Sequence, residues 1–407
     1  MAMKVRALLS LGAVLISMSL AGCGHYTCGT TFGPATCTPS GSGIGTTGGG
    51  GTGLVAYGYF MDYTPTGIPD AGMALQKLDT NNSTFSALTA FVPPSVPPFP
   101  TGMVIVSKKY LYVASSDGTL YSFLIDPATG YLSNVGTNPS AVTGGTSIAA
   151  SVDGNWLFVG DTAGQRVSVF QVNADGTLTG AAGNPFATSG VTPKIMATDG
   201  LSRYLYATGG PGASQTAALI IGSSGALSPV TGSPFVTNIG SSMMGDPSGK
   251  YMIGASYAVG DNNIHVFSVG ASTGVLTSWN STLTLGTPRN IRVHPSGKWV
   301  YSFDQDQTLD HIEAAEGFDF DSNTGILTEM SSSPFTTITA NDGPIEQSGS
   351  FLIGLGQTKI GNSIDIAAFP VAIDSTDGSL SIWPGNSNQA LGFVGIDAAP
   401  YVFTDSK

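Results

Sequence analysis

The stretch Gly286–Gln305, GTPRNIRVHPSGKWVYSFDQ, decides the fold of this chain. It begins with a polar entry, continues as a short strand, turns at Pro295–Lys298 and ends in a second, apolar strand. Gly297 can supply the positive φ angle that a tight hairpin turn needs. The stretch therefore predicts a β-hairpin, and the same pattern returns along the chain.

The apolar strand after the turn occurs six times, at intervals of 46 to 52 residues. Its copies begin at Tyr110, Trp156, Tyr204, Tyr251, Trp299 and Phe351. A third strand such as Arg166–Val172 follows, then a turn such as Asp321–Gly325, then a short fourth strand. The fourth strand often ends in Pro-Phe, as in Ser333–Phe335. Self-similarity at a nearly constant period indicates repeated units that pack on their neighbours.

Seven third strands and seven fourth strands can be counted between residues 54 and 407. The apolar copies have no polar alternation, which is typical of strands buried on both faces. We therefore predict an all-β protein, a seven-bladed β-propeller of four-stranded antiparallel blades. The N-terminal strand and the C-terminal run Leu391–Asp397 are expected to share one blade and close the ring. Which terminal segment takes which strand position stays open.

Composition restricts the partners of the chain. Among 407 residues, Lys and Arg total 14 and Asp and Glu total 26, giving a formal net charge of −12. Nucleic-acid binding requires a cationic surface that displaces counterions, so it is not expected. We expect a monomer that binds an unidentified protein, small molecule or sugar at one face of the propeller.

The N-terminus reads as an export signal. Lys4 and Arg6 precede the apolar run Ala7–Leu20, whose 14 residues are too few for a bilayer that takes about 20. The run ends in Leu20-Ala-Gly-Cys23, which resembles the bacterial lipoprotein box. The resemblance implies that residues 1–22 are removed and that Cys23 carries the lipid that attaches the protein to a membrane.

The residue after Cys23 is Gly24 rather than Asp. By resemblance to envelope sorting rules, this implies the outer membrane. An ordinary secretory signal with a chance cysteine is the alternative. Residues 23–53, rich in Gly, Ser and Thr, are predicted to be a flexible tether. Cys28 and Cys37 could form a disulfide in an oxidising compartment, or remain two free thiols.

The blade sequences resemble one known family. Its features here are Tyr110-Leu-Tyr-Val in the second strand, Val169-Phe-Gln-Val in the third, the turn Thr129-Gly-Tyr-Leu and the ending Ser233-Pro-Phe. These features are similar to the lactonase-type seven-bladed propellers, which include bacterial 6-phosphogluconolactonases. The resemblance covers essentially residues 54–407 and implies the propeller fold.

The resemblance also implies a functional site in one blade. Family members with lactonase activity have Pro-Arg-His at the start of a first strand and Asn-Glu-Leu at the end of the second. This chain has Pro288-Arg289-Asn290 and Asp304-Gln305-Asp306 instead. In an up-and-down blade both segments open onto the same face. The ligand-binding candidates are Arg289, Asn290, Asp304, Gln305 and Asp306.

The arginine of the family pattern is retained, but Asn290 and Gln305 replace the proton-transferring side chains. An amide cannot exchange a proton at neutral pH, so lactone hydrolysis is not expected by that route. Arg289 could bind an anionic group through two N–H bonds, or bond loop carbonyls in a purely structural role.

An acidic segment follows the second strand. Asp304, Asp306, Asp310, His311, Glu313 and Glu316 fall within 13 residues. Carboxylates of this kind could bind a divalent cation such as calcium, with Asp304, Asp306 and Asp310 as ligands, or form a solvated acidic loop. No other cofactor is expected. His294 is expected to be a packed or turn residue, and His265 is expected to pack between blades.

Three hypotheses for the function follow. The first is a tethered binding module of the cell envelope that has lost lactonase chemistry. The second is a sugar-lactone hydrolase that uses Arg289 with His311 and Glu313 as acid and base. The third is a structural envelope scaffold without a small-molecule site.

Overall fold

The computed structural model describes residues 26–28, 37–39, 54–61, 73–88, 94–95, 97, 100–136, 145–210, 212–256, 261–306, 311–312, 314–340, 342–360, 363–383, 389–390 and 401–405. The chain divides into two compact units, Met1–Gly50 and Gly51–Lys407. In the first unit, strand Tyr26–Cys28 pairs antiparallel with Cys37–Pro39. The predicted signal peptide and Cys23 lie outside the described residues, as does most of the predicted tether.

The second unit consists of seven antiparallel sheets, the blades. The first strands of blades 1 to 6 contact one another in order, and blade 7 contacts both blade 6 and blade 1, so the blades form a ring around these strands. From first to fourth strand, the bounds are Tyr401–Asp405, Val55–Met61, Met73–Asp79 and Thr84–Ala87 in blade 1; Pro100–Val106, Tyr110–Ser115, Leu120–Ile125 and Leu132–Asn134 in blade 2; Gly145–Ala150, Trp156–Asp161, Arg166–Val172 and Leu178–Gly180 in blade 3; Ile195–Thr198, Tyr204–Thr208, Gln215–Ile221 and Leu227–Pro229 in blade 4; Ser242–Gly245, Tyr251–Ala255, Asn263–Val269 and Leu276–Leu283 in blade 5; Thr287–Val293, Trp299–Asp306, Ala314–Asp321 and Ile326–Glu329 in blade 6; and, from the second strand on, Phe351–Ile360, Ser363–Ile373 and Leu380–Ile382 in blade 7.

The predicted seven-bladed architecture is confirmed, and the two chain ends share blade 1. Tyr401–Asp405 pairs with Val55–Met61, so the C-terminal strand takes the first position and the N-terminal strand the second. The run Leu391–Asp397, which we expected to close the ring, lies outside the described residues. In blade 7 the first-strand position is reduced to two isolated bridges, formed by Asp342 and Ile345 with the second strand.

In several blades the third strand also pairs with a short additional strand. This strand follows the fourth strand in sequence and pairs nearer the start of the third strand, whereas the fourth strand pairs with its end. The additional strands are Phe186–Ala187, Phe235–Val236, Phe335–Thr339 and Gln389–Ala390. The first three begin with the Phe of a Pro-Phe pair, so Pro-Phe opens this additional strand and does not end the fourth strand as predicted. Proline has no N–H to donate to a neighbouring strand, so it is tolerated at these outer edges.

A repeated contact between neighbouring blades explains the repeated tyrosines and glycines. The hydroxyl group of Tyr206 donates to the carbonyl oxygen of Gly274 in the next blade at 3.0 Å. Tyr301 donates in the same way to Gly378 at 2.7 Å. Each acceptor glycine belongs to the turn between the third and fourth strands. The two sequence motifs are therefore the two halves of one interblade contact.

Gly378 shows why glycine is required in that turn. Its φ angle is +73°, and a Cβ atom there would lie 2.6 Å from Cδ2 of Trp299. A side chain would be strained by its backbone angle and would also clash with the indole ring. The turn can therefore pack directly beneath the aromatic ring of the preceding blade.

Candidate functional site

The first two strands of blade 6 bring the predicted site segments together. The register pairs Pro288 with Asp304 and Thr287 with Gln305. The start of the first strand and the end of the second are therefore direct neighbours, as the up-and-down topology predicts. The register shifts between Pro288 and Asn290, which makes Arg289 the extra residue of a β-bulge.

A bulge turns the side chain of its extra residue away from the regular alternation of the strand. Arg289 and its neighbour Asn290 are both half-buried. Each is engaged in an interaction within the protein. The guanidinium group can bind a carboxylate or phosphate through parallel N–H bonds, and the amide can both donate and accept. This pair suits recognition of a polar, anionic ligand.

The carboxylate of Asp304 is buried and bonded within the protein. Its side chain is 1% exposed. One carboxylate oxygen accepts the backbone N–H of Gly286 at 3.0 Å, and the other accepts the hydroxyl group of Ser302. The carboxylate therefore anchors the linker that enters the first strand of blade 6, immediately before Arg289.

Glu316 lies on the third strand of blade 6, whereas the sequence analysis placed it in an acidic loop. Its side chain is 2% exposed, and Oε2 accepts the backbone N–H of Leu285 at 3.0 Å. Burial, a hydrogen bond to Asp304 and the charge of Asp304 raise the pKa of Glu316 to about 9. The Glu316 carboxyl group therefore keeps its proton at neutral pH, and the two carboxyl groups hold two consecutive linker residues.

The pairing of the Asp304 and Glu316 carboxyl groups was not predicted from the sequence. Glu316 stands between Ala315 and Phe318 in a largely apolar segment, which is the signal of a buried carboxyl group. Its proximity to Asp304 depends on the register of two strands, Ser302 being the partner of Glu316, and a single sequence does not specify that register.

The remaining acidic candidates lie largely outside the described residues. His311–Ile312 pairs with Gln305 and Asp306, so this segment extends the hairpin. Asp310 and Glu313 lie outside the described residues, as do the side chains of Gln305, Asp306 and His311. Within the described part of the chain, no three acidic, histidine or cysteine residues are grouped so that they could hold a metal ion.

Two histidines have structural partners. His294 hydrogen-bonds the carbonyl oxygen of Gly349 through Nε2 at 2.8 Å, and burial lowers the pKa of its ring. It lies between a strand and the turn that follows, and its ring packs against Trp299 with a centroid distance of 4.8 Å. His265 was expected to pack between blades, but it is about one-fifth exposed and its Nε2 lies 3.0 Å from Oδ2 of Asp261. Asp261 lies just before the strand that contains His265, and its carboxylate holds the imidazole ring in a partly exposed position.

Arg292 provides a second contact that the sequence analysis did not anticipate. Its guanidinium group lies 2.5 Å from Oδ2 of Asp342, which occupies the reduced first strand of blade 7. Arg292 lies three positions after Arg289 in the same strand. The ion pair therefore ties blade 6 to blade 7 close to the candidate site.

The described N-terminal hairpin concerns the two remaining cysteines. Its register makes Cys28 and Cys37 direct partners. Partnered Cα atoms in an antiparallel pair lie about 4.5 or 5.5 Å apart, within the range that a disulfide spans.

In the part of the chain that the structure describes, no helix is long and apolar enough to cross a membrane.

Seven antiparallel blades, one of which pairs the C-terminal strand with the N-terminal strand, define a seven-bladed β-propeller. The chain belongs to the family described as Lactonase, 7-bladed beta-propeller. The model of this family matches residues 64–194 and 238–338, more than half of the chain.

Solved structures share the fold at low sequence identity. A candidate 6-phosphogluconolactonase from Bacteroides uniformis superposes with a TM-score of 0.63 at 17% identity, covering 86% of this chain and 99% of that one. The periplasmic gluconolactonase of Pseudomonas aeruginosa gives a TM-score of 0.60 at 16% identity, covering 86% and 99%. A protein from Lactobacillus plantarum gives 0.62 at 17%, also covering 86% and 99%. No curated protein sequence matches the chain.

Proposed function

We propose that this protein is a binding module of the cell envelope that recognises an anionic sugar derivative without hydrolysing it. One observation carries the proposal. The positions at which the family resemblance implies a proton-transferring histidine and glutamate hold Asn290 and Gln305. Both amides can hydrogen-bond a ligand, but neither can act as acid or base at neutral pH.

The surrounding carboxyl groups support the proposal. Asp304 and Glu316 lie next to the site, and both are buried and bonded to the linker that precedes it. A general base must reach the proton that it abstracts, and these side chains face backbone N–H groups instead. Their role is to position the linker that leads to Arg289.

Arg289 indicates the class of ligand. Family membership favours sugar lactones and the sugar acids formed from them, and two of the structural neighbours have names that refer to gluconolactones. A sugar acid offers a carboxylate to the guanidinium group and hydroxyl groups to Asn290. A phosphorylated sugar acid offers a second anion.

Binding of 6-phosphogluconate and gluconate to the full chain, measured by calorimetry with calcium and with a chelator, tests this proposal. We expect saturable binding that Arg289→Ala weakens at least tenfold. Lys298→Ala removes a positive charge at the far end of the same hairpin and serves as the matched control. The absence of binding, or equal binding by Arg289→Ala, would contradict the proposal. The chelator arm reports whether a divalent cation contributes.

A sugar-lactone hydrolase is the second candidate, favoured by family membership and by the periplasmic gluconolactonase among the neighbours. In this case Arg289 would bind the lactone, with His311 and Glu313 supplying acid and base. Turnover that Arg289→Ala and His311→Ala both abolish, in folded proteins, would establish the hydrolase. A folded protein with neither binding nor turnover would favour the scaffold function.

We also propose that the protein is exported, lipid-anchored through Cys23 in the outer membrane, monomeric, and carries a disulfide between Cys28 and Cys37. The lipoprotein-like box and the register of the N-terminal hairpin support these assignments. Cys23→Ser is expected to move the protein out of the membrane fraction. Mass spectrometry of the N-terminal peptides identifies the acyl chains and the disulfide. An unmodified Cys23 would overturn the anchor.

A further inference from the structure

The outer strand of blade 5 exposes an aromatic ring. Trp279 is 55% exposed, and Tyr131 at 38% is the other exposed aromatic side chain among the described residues. An indole ring left in water forgoes the stabilisation that burial of so large an apolar surface provides. Trp279 lies on the fourth strand of blade 5, at the opposite edge of that sheet from the first strand. The site proposed above, at the first two strands of blade 6, therefore does not account for its exposure.

The ring is held in a defined position. Its Nε1–H donates to the carbonyl oxygen of Thr324 in blade 6 at 2.6 Å. Its centroid lies 6.4 Å from that of Tyr251. A Cβ atom on Gly325 would come within 3.0 Å of its Cδ1 atom. One edge is therefore fixed against blade 6 while much of the ring faces solvent. A preorganised surface of this kind loses little conformational entropy on binding.

Polar side chains flank the ring. The register pairs Thr277 with Ser268 and Asn280 with Val266, which leaves Trp279 as the extra residue of a β-bulge. Directly paired residues place their side chains on the same face of a sheet, and Ser268 and Val266 share a face. The hydroxyl group of Thr277 and the amide of Asn280 therefore lie on the same face, on either side of Trp279 in the strand.

This strand has no charge. Its sequence, LTSWNSTL, contains no ionisable side chain in a protein with 26 acidic residues. At eight residues it is also the longest fourth strand that the structure describes. The bulge interrupts the regular edge, which disfavours pairing with a strand of another protein. A neutral ligand with many hydrogen-bonding groups fits these properties better than an ion or a peptide strand.

We propose that Trp279, Thr277 and Asn280 form a binding site for a neutral carbohydrate chain on the outer edge of blade 5. The C–H face of a pyranose ring stacks on the indole, where the negative π face attracts the partly positive hydrogens. Sugar hydroxyl groups bond the hydroxyl group of Thr277 and the NH₂ group of Asn280, whose amide oxygen accepts the backbone N–H of Ser281 at 2.8 Å. This site is separate from the blade 6 site and does not depend on the function proposed there.

Titration of the full chain with cellohexaose and with chitohexaose tests the proposal, followed by native electrophoresis through gels that contain hydroxyethyl cellulose. We expect binding in the millimolar range, on the order of 1 mM. Trp279→Ala should weaken it at least tenfold, and Trp279→Phe should retain part of it. Tyr131→Ala, which removes the other exposed aromatic ring, is the matched control and should bind normally.

Asn280→Ala keeps the indole and the bond to Thr324, and is expected to weaken binding severalfold even if Trp279→Ala folds poorly. Arg289→Ala should leave this binding unchanged, which separates the two sites. Failure of the wild-type chain to bind any of the three neutral glycans would overturn the proposal. Equal binding by the wild type and a folded Trp279→Ala would also overturn it.

Discussion

Replacing Glu316 by glutamine isolates the effect of the proton that the buried Glu316 carboxyl group retains. The glutamine carbonyl oxygen can still accept the N–H of Leu285, and its NH₂ group can donate to Asp304, so the geometry is kept. In the wild type the pKa of Glu316 rises from its ordinary value of 4.5 to about 9, first through burial and then through Asp304. The folded state therefore binds one more proton than the unfolded state between these two pH values.

The sign of the effect follows from this difference in bound protons. A carboxyl group with a raised pKa contributes its full stability below pH 4.5, and that stability is lost as pH rises toward 9. The loss is about 1 kcal/mol per pH unit, or about 3 kcal/mol at pH 7 relative to a neutral isostere. We therefore expect Glu316→Gln to match the wild type near pH 4 and to be increasingly more stable up to pH 9.

Urea denaturation between pH 4 and pH 9 measures this difference. Asp319→Asn removes an exposed carboxyl group from the same strand and is the matched control. Its free energy of unfolding should follow the wild type. Parallel pH profiles for Glu316→Gln and the wild type would refute the reasoning, because they would show that Glu316 titrates alike in both states.

Three further predictions concern the ring. Arg292→Ala leaves the carboxylate of Asp342 buried without its partner and should lower the free energy of unfolding by about 2 kcal/mol; a double-mutant cycle with Asp342→Ala measures the coupling, which would be absent if the pair were unimportant. Gly378→Ala should cost about 3 kcal/mol or more, whereas Gly190→Ala, with φ +86° but open space around its Cβ position, should cost about 1 kcal/mol; equal melting temperatures would contradict the clash. Truncation before Tyr401–Asp405 removes the first strand of blade 1 and should abolish cooperative unfolding measured by calorimetry; a single transition at an unchanged melting temperature would contradict this role of the strand.

The blades could be predicted because their sequence signals are local and repeated. A turn with glycine, an apolar strand beginning with an aromatic residue and a Pro-Phe ending return at a nearly constant period. Each signal also has a structural reason. The hydroxyl group of Tyr206, the third residue of its strand, bonds the next blade, and Gly274 in that blade leaves room for the ring of Tyr204 at the start of the same strand.

Ring closure could be predicted only in outline. The C-terminal run Tyr401–Thr404 is apolar like the second-strand copies, so its sequence does not distinguish a first strand from a second. Its partner, Val55–Met61, lies more than 340 residues away in the chain. Pairing at such separation depends on the completed ring, which no local pattern encodes.

The site was predicted in its neighbourhood but not in its details. Topology alone places the start of the first strand of blade 6 beside the end of the second, where the structure pairs Pro288 with Asp304. The bulges at Arg289 and Trp279 and the pairing of Asp304 with Glu316 depend on register. A shift of one residue reverses which face a side chain occupies, so these features require the structure.

Hydrolysis of a panel of sugar lactones by the purified chain tests the central claim most directly. The panel includes gluconolactone and 6-phosphogluconolactone, each corrected for spontaneous opening. The account predicts no turnover above the spontaneous rate, together with binding that Arg289→Ala weakens. Enzymatic turnover by the wild type that disappears in a folded Arg289→Ala variant would contradict it and establish a hydrolase in spite of Asn290 and Gln305.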